Sequence, residues 1–344
     1  WNSINNPITL DLIKSGNVDK SNYGNIYYNR NIKRSNRECN PMYDFHSLVK
    51  KTLITENVTG NKNLLDMSVG KGGDINHWVD SEVNFCVGLD INKDNLINID
   101  NGACNRIFNK VSELQDGKLA EKTLMIWADS SKNILNGSAG QDDLHKYYLD
   151  ILYGNIDISE INNGKLRTFY NLGNGDKKGF DNVSCQFSIH YFFKDKDSIN
   201  TFINNVSQSL KRGGIFIGTC LDGEKVFNSL KDRDIISNIS ESKNICWKIT
   251  KKYDKSTFTN SDESLGLKID VYHESIGASF PEYLVNFNYL ISICKEYGLE
   301  LIKLQSFEEL FESLSSVDYG SIKSMNDELK RYSFMNNAFV FQKK

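Results

Sequence analysis

The sequence predicts an α/β fold, a parallel sheet with helices on both faces. Three observations carry it. Short apolar runs alternate with segments of helical spacing, the pattern of parallel strands joined by helical crossovers. Three of those runs end in acids, Asp66, Asp90 and Asp129, and ligands of open α/β sheets settle outside the carboxyl ends of such strands. The chain has 344 residues, enough for two domains or one large domain with insertions, and enough to bury its own core.

Taken in order, residues 1–40 are polar and Asn-rich and read as an arm with one short helix over 8–15. Residues 43–57 have helical spacing, with Phe45, Leu48, Val49 and Leu53 on one face. The first strand is 64–67 and runs into a Gly-rich loop; a helix opens over 75–79. The second strand is 85–90, followed by a helix over 92–108, and the third is 124–129. Residues 136–179 carry glycines at 137, 140, 154, 164, 173, 175 and 179 and read as an insertion of helix plus loops. A fourth strand at 180–188, a helix at 196–211 and a fifth strand at 214–220 resume the alternation. Beyond 221 the pattern loosens. It gives strands at 245–253 and 267–272, a helix at 282–297, and strands at 299–305 and 337–342.

Composition excludes several classes. The net charge is −3, so any nucleic-acid contact must come from a local patch. One such patch lies at 28–51, with six basic against two acidic residues. No apolar run approaches the roughly 20 residues of a membrane helix, and the opening residues lack the charged and apolar regions of a signal peptide. The seven cysteines form no C-x-x-C pair and mostly sit in apolar runs, which predicts reduced structural thiols and neither a disulfide framework nor a zinc site. The 41 Asn and the excess of Lys over Arg, 33 to 8, resemble the product of an A+T-rich genome. The first residue is Trp1, which reads as the start of a fragment of a longer protein.

The chemistry concentrates in two stretches. The first is Asp66-Met67-Ser68-Val69-Gly70-Lys71-Gly72-Gly73-Asp74. A Gly-rich turn between strand and helix lets backbone approach a ligand closely. Asp90 follows at a spacing that suits a carboxylate accepting ribose hydroxyls. Asp129, ending the third strand in Ala128-Asp129-Ser130-Ser131, can accept the exocyclic amine of adenine. The loop is neither G-x-G-x-x-G nor a P-loop. Together these favour S-adenosylmethionine (AdoMet) over a nicotinamide dinucleotide. The second stretch is 180–193, which ends in Gln186-Phe187-Ser188-Ile189-His190-Tyr191. Plain packing would explain His190 and Tyr191, but their place after the fourth strand aims them at the crevice.

These residues resemble the mRNA cap guanine-N7 methyltransferases. That family carries L-D-x-G-C-G-K-G-G-D, A-D-S-S, S-C-Q-F-x-x-H-Y, P-G-G-x-F-I-G and V-P-E-[FY]-L-V, and this chain matches them in order at 65–74, 128–131, 184–191, 212–218 and 280–285. The resemblance covers roughly 40–344. It implies a Rossmann-like class I AdoMet-dependent methyltransferase, a mostly parallel seven-stranded sheet flanked by helices, over 41–344. Residues 1–28 resemble the linker that follows the guanylyltransferase domain in multidomain capping enzymes of large DNA viruses. That implies fusion to triphosphatase and guanylyltransferase domains, and residence in the host cytoplasm or the virion. Ser68 and Val69 replace the family's Gly and Cys, and a positive φ at Ser68 would be strained. An aromatic often found near the last strand is replaced by Met335-Asn336-Asn337.

The resemblance further implies methyl transfer to guanine N7 of GpppN-capped RNA, with no metal and no acid/base residue. Lys50 is expected to pair with the AdoMet carboxylate. Asp66, Gly70 and Gly72 shape the loop around the methionine moiety. Asp90 holds the ribose, Asp129 and Ser130 read adenine, and Gln186 and Ser188 line the fourth strand. For the cap, Glu282 accepts from guanine N1–H and the 2-amino group, with helix N-terminal capping after Pro281 as its bland alternative. His190 donates to O6. Tyr191 and Phe45 pack on the base, and Lys71 and Arg106 meet the triphosphate. Competing readings are a methyltransferase for another substrate and a non-catalytic subunit of a capping complex.

Overall fold

The computed structural model describes residues 38–238, 245–314 and 320–344. The expected arm helix over 8–15 lies outside the described residues. Seven strands form one sheet: β1 (Leu64–Asp66), β2 (Cys86–Asp90), β3 (Thr123–Trp127), β4 (Phe180–Gln186), β5 (Leu210–Leu221), β10 (Leu299–Ser306) and β11 (Asn336–Lys343). Their order is β10-β11-β5-β4-β1-β2-β3. The first five are mutually parallel, while β11 runs antiparallel to both β5 and β10. The parallel sheet is the one the alternation predicts, and its seven strands are what the resemblance implies.

Alternation along the strands fills both faces. Leu65, Val87 and Leu89 join a core with the Asp143–Tyr153, Lys196–Ser209 and Phe287–Glu296 helices. Leu64 and Cys86 point the other way, toward the Asn40–Val58 and Phe307–Leu314 helices. The Asn40–Val58 helix starts with Pro41 in its first turn, where a missing N–H costs nothing. It buries Met42, Phe45, Val49, Leu53, Ile54 and Val58.

The stretch 136–179 is the crossover from β3 to β4 rather than an appendage. Parallel strands need such a connection, and Tyr148, Leu149, Ile151, Leu152, Ile161 and Phe169 are core residues. The expected helix over 92–108 is two helices, Lys93–Ile97 and Ala103–Leu114. The break falls at 98–102, where Gly102 has no room for a Cβ beside the Asn98 backbone.

A second, antiparallel sheet was only half legible. It runs β6 (Ile235–Ser237), β7 (Trp247–Lys251), β8 (Lys268–His273) and β9 (Ala278–Tyr283), in that order. The helix expected from 282 begins at Phe287, capped by the Asn286 side chain, which accepts from the Tyr289 N–H. Glu282 is therefore a strand residue, and helix capping is not its role. Pro281 does not start a helix. It sits on β9, at the sheet edge, where a residue without an N–H is tolerated.

The cysteine expectation needs correction. Cys39 and Cys246 form a disulfide across 207 residues of sequence. It joins the N-cap of the Asn40–Val58 helix to the segment entering β7. Spacing arguments see only local pairs, so nothing in the sequence marked it. The other five cysteines are free thiols.

Candidate active site

A cleft of about 750 Å³ opens over the carboxyl ends of β1, β2, β3 and β4. It lies where strand order reverses, since β1 pairs with β2 on one side and β4 on the other. Such a switch point is where open α/β sheets bind ligands.

The Gly-rich loop forms its floor. Gly70 and Gly72 have φ of +54° and +70°, a region open to glycine at little cost. Ser68 is not among the positive-φ residues, so the feared strain is absent there. Its backbone N–H donates to Asp66 Oδ1 at 3.1 Å. Asp66 and Gly72 do not line the cleft. Asp66 braces the loop from below, and burial beside Asp74 pushes its carboxyl up to about 7. Gly72 packs tightly on Ile75 and Ala103.

Lys50, Gly70, Asp90, Asp129, Ser130, Gln186 and Ser188 all reach the cleft wall. Lys50 Nζ lies 2.5 Å from Asp74 Oδ1. Asp90 accepts from the Gly70 N–H at 2.8 Å, the Asn92 N–H at 2.8 Å and Asn95 Nδ2 at 3.1 Å. Burial raises its pKa against those bonds. Asp129 accepts from the backbone N–H and hydroxyl of Ser131. Ser130 Oγ donates to the Met67 carbonyl at 2.7 Å, tying β3 to the loop. Gln186 donates to Ser184 and accepts from Thr219, and Ser188 Oγ lies 3.2 Å from Cys185 Sγ.

The opposite wall carries His190, Tyr191 and Glu282. β9 packs against the Ile189–Lys194 turn, so the fourth-strand motif and the P-E-Y segment meet. Glu282 Oε2 lies 3.6 Å from His190 Nδ1. Burial pushes Glu282 up to about 8 and His190 down to about 3. His190 Nε2 has no hydrogen-bond partner among the described residues. Tyr191 stands edge-on to His190, with centroids 4.1 Å apart. Lys71 and Arg106 line the far side of the cleft. Lys71 Nζ donates to Asn101 Oδ1 at 2.6 Å and faces Asp94 at 3.6 Å.

Phe45 is the exception. It is 0% exposed and packs edge-on against Phe307 and Phe311, so it offers no face to a ligand. Its helix presents Tyr43 and His46 to the cleft instead. Periodicity marked the buried stripe, and Phe45 belongs to it. Other wall residues carried no sequence signal: His273 and Tyr332 come from β8 and the Asp327–Ser333 helix. Phe187 holds φ of +51° as β4 ends, a strained conformation of the kind stored at functional sites, and its ring stacks on His46 at 5.2 Å.

A family model, the mRNA (guanine-N(7))-methyltransferase domain, matches residues 14–338. The probable mRNA-capping enzyme of Acanthamoeba polyphaga mimivirus is 30% identical over 335 residues, covering 91% of this chain and 26% of that protein. The mRNA cap guanine-N(7) methyltransferase of Meyerozyma guilliermondii is 27% identical over 86% of this chain and 50% of its own length. The chain thus spans a quarter to a half of these relatives. Among solved structures, an S-adenosylmethionine-dependent methyltransferase from Clostridium acetobutylicum aligns at TM-score 0.46 and 13% identity, over 90% of this chain and 94% of that one.

Proposed function

This chain belongs to the mRNA (guanine-N(7))-methyltransferase domain family, and we propose that it moves the methyl group of AdoMet to guanine N7 of GpppN-capped RNA. The observation that carries this is one cleft with two chemistries. Acids at strand ends and Lys50 of the Asn40–Val58 helix form one wall, and a buried carboxyl beside a histidine forms the other.

The donor set fits AdoMet. Lys50 offers a cation to its carboxylate, Asp90 can exchange backbone partners for ribose hydroxyls, and Asp129 with Ser130 faces the adenine. When bound, AdoMet supplies an electrophilic methyl on a sulfonium leaving group. Guanine N7 carries a lone pair and no proton, so no general base is required. The chain's task is alignment in a site that excludes water.

Glu282 gives guanine specificity by accepting from N1–H and the 2-amino group. Adenine lacks that edge and would leave the buried carboxyl unpaired. His190, neutral, can donate to O6. Tyr191 packs beside the base. Lys71 and Arg106 meet the triphosphate by exchanging their present partners. Residues 39–344 act as one methyltransferase domain, since Cys39 is buried and bonded to Cys246 and Asn40 opens a packed helix, where the expected boundary falls at 41; the chain before it leads from preceding triphosphatase and guanylyltransferase domains. The mimivirus relative, named a probable mRNA-capping enzyme and much longer than this chain, supports that arrangement and a large-DNA-virus setting, for which we propose action in the host cytoplasm or virion.

The test is methyl transfer from labelled AdoMet to GpppA- and GpppG-capped RNA, with nuclease digestion to locate the label, for wild type and Glu282→Ala. Label in the terminal 7-methylguanosine, lost in the variant, is expected. Label on the first-nucleotide ribose would move the target, AdoMet binding without transfer to any cap would point to a missing partner or another substrate, and no AdoMet binding would favour a non-catalytic role.

A further inference from the structure

We propose that His273 and Tyr332 form a sugar subsite, in which His273 Nδ1–H donates to a ribose hydroxyl of the capped guanosine; this rests on the functional reading above. The two side chains come from distant parts of the chain and meet in the cleft wall. Tyr332 Oη lies 2.8 Å from His273 Nε2, and the rings stand edge-on at 5.0 Å. Tyr43 packs beside the imidazole at 6.3 Å.

A neutral imidazole has one proton for two nitrogens. The direction of that bond follows the imidazole tautomer; we assign the Tyr332 hydroxyl as donor to Nε2, which leaves the proton on Nδ1. That nitrogen is buried and has no hydrogen-bond partner among the described residues. A buried donor left unmet is costly, and what can meet it is a group entering the cleft. Burial lowers His273 to about 4, so the ring is neutral near pH 7. A neutral donor suits this reaction, because methylation leaves positive charge on the guanine and a cationic neighbour would oppose it.

The register places this donor beyond the base. Glu282 sits opposite Ile269, whereas His273 sits opposite Ala278. Four residues of strand are about 13 Å. Glu282 and His190 already serve the N1, N2 and O6 edge, so a donor further along the same sheet meets what is attached to the base. Ser275 and Ile276, from the turn after β8, complete that rim.

The experiment compares wild type, His273→Phe and Tyr332→Phe on GpppA-capped RNA and on RNA capped with 2′,3′-dideoxyguanosine. On the ordinary cap both variants are expected to raise the cap KM about tenfold, the worth of one buried hydrogen bond. Their kcat and AdoMet affinity should stay within about twofold, as for a lost ground-state contact. On the dideoxy cap wild type should show the same rise and the variants should add nothing. Equal losses on both caps would overturn the proposal and leave a latch between β8 and the Asp327–Ser333 helix. Tyr332→Phe keeps the ring packing, so it decides the matter if His273→Phe fails to fold. Wild type that methylates neither cap would sink the functional reading itself, and is seen without any variant.

Discussion

Glu282 and His190 face each other at 3.6 Å as two neutral groups, because burial raises the carboxyl to about 8 and lowers the imidazole to about 3. Guanine N1–H and its amino group need an ionised acceptor. Cap affinity should therefore rise with pH up to about 8, by as much as tenfold per unit. Titration of GpppA into the protein between about pH 6 and 9 measures this. Glu282→Gln should flatten the profile, and a slope that survives it would assign the proton elsewhere. Folding runs with the opposite sign. A carboxyl raised from 4.5 to about 8 binds its proton more tightly when folded. That stabilisation is full below the unfolded value and is lost as pH rises through about 8.

Lys50 should govern AdoMet and not the cap. Its Nζ sits on the cleft wall, held 2.5 Å from Asp74 Oδ1. A charge-assisted bond to the AdoMet carboxylate is worth about 1.5–3 kcal/mol. Lys50→Ala should then weaken AdoMet binding about 10–100-fold, with GpppA affinity little changed. Calorimetry with each ligand separately checks it. A loss shared equally by both ligands would mean the lysine shapes the cleft as a whole.

How much of this was legible follows from where the signals live. Strand ends are local, so Asp66, Asp90 and Asp129 announced the crevice, and the parallel sheet followed from alternation. Glu282 was found as a motif but misplaced on a helix, since Pro281 marks helix starts and sheet edges alike. The resemblance implied Phe45 as a base contact, but its place in the apolar stripe of the helix means burial, and a ligand wall lies at the margin of that stripe, where Tyr43 and His46 stand. His273, Tyr332 and the Cys39–Cys246 bridge depend on pairings between segments far apart in sequence, which a single sequence does not display.

The loop glycines should separate strain from crowding. A Cβ on Gly70 meets nothing within 4 Å, so Gly70→Ala bears only its φ of +54°, about 1–2 kcal/mol. A Cβ on Gly72 would lie 2.5 Å from Ile75 Cδ1 and 3.2 Å from Ala103 Cα, at φ of +70°. Gly72→Ala should destabilise by an additional 1–3 kcal/mol or so, the range for overpacking. Denaturant unfolding of the two variants gives the order. Equal destabilisation would show that Ile75 turns aside without cost.

The Cys39–Cys246 bridge ties the helix that carries Tyr43, His46 and Lys50 to the sheet that carries His273 and Glu282. Closing a loop of 207 residues removes chain entropy from the unfolded state, worth about 5 kcal/mol on the entropic account. Denatured but unreduced protein should therefore show five reactive thiols, the number left free by the bridge. Reduction should expose all seven cysteines of the chain and lower the denaturant midpoint. Cys246→Ser should reproduce that loss without reductant, and reductant should then add nothing. Because the bridge anchors the cap-side wall, reduction should also weaken GpppA binding more than AdoMet binding. Seven reactive thiols in unreduced protein would show that the two sulfurs are adjacent but unbonded, and the stability difference should then vanish.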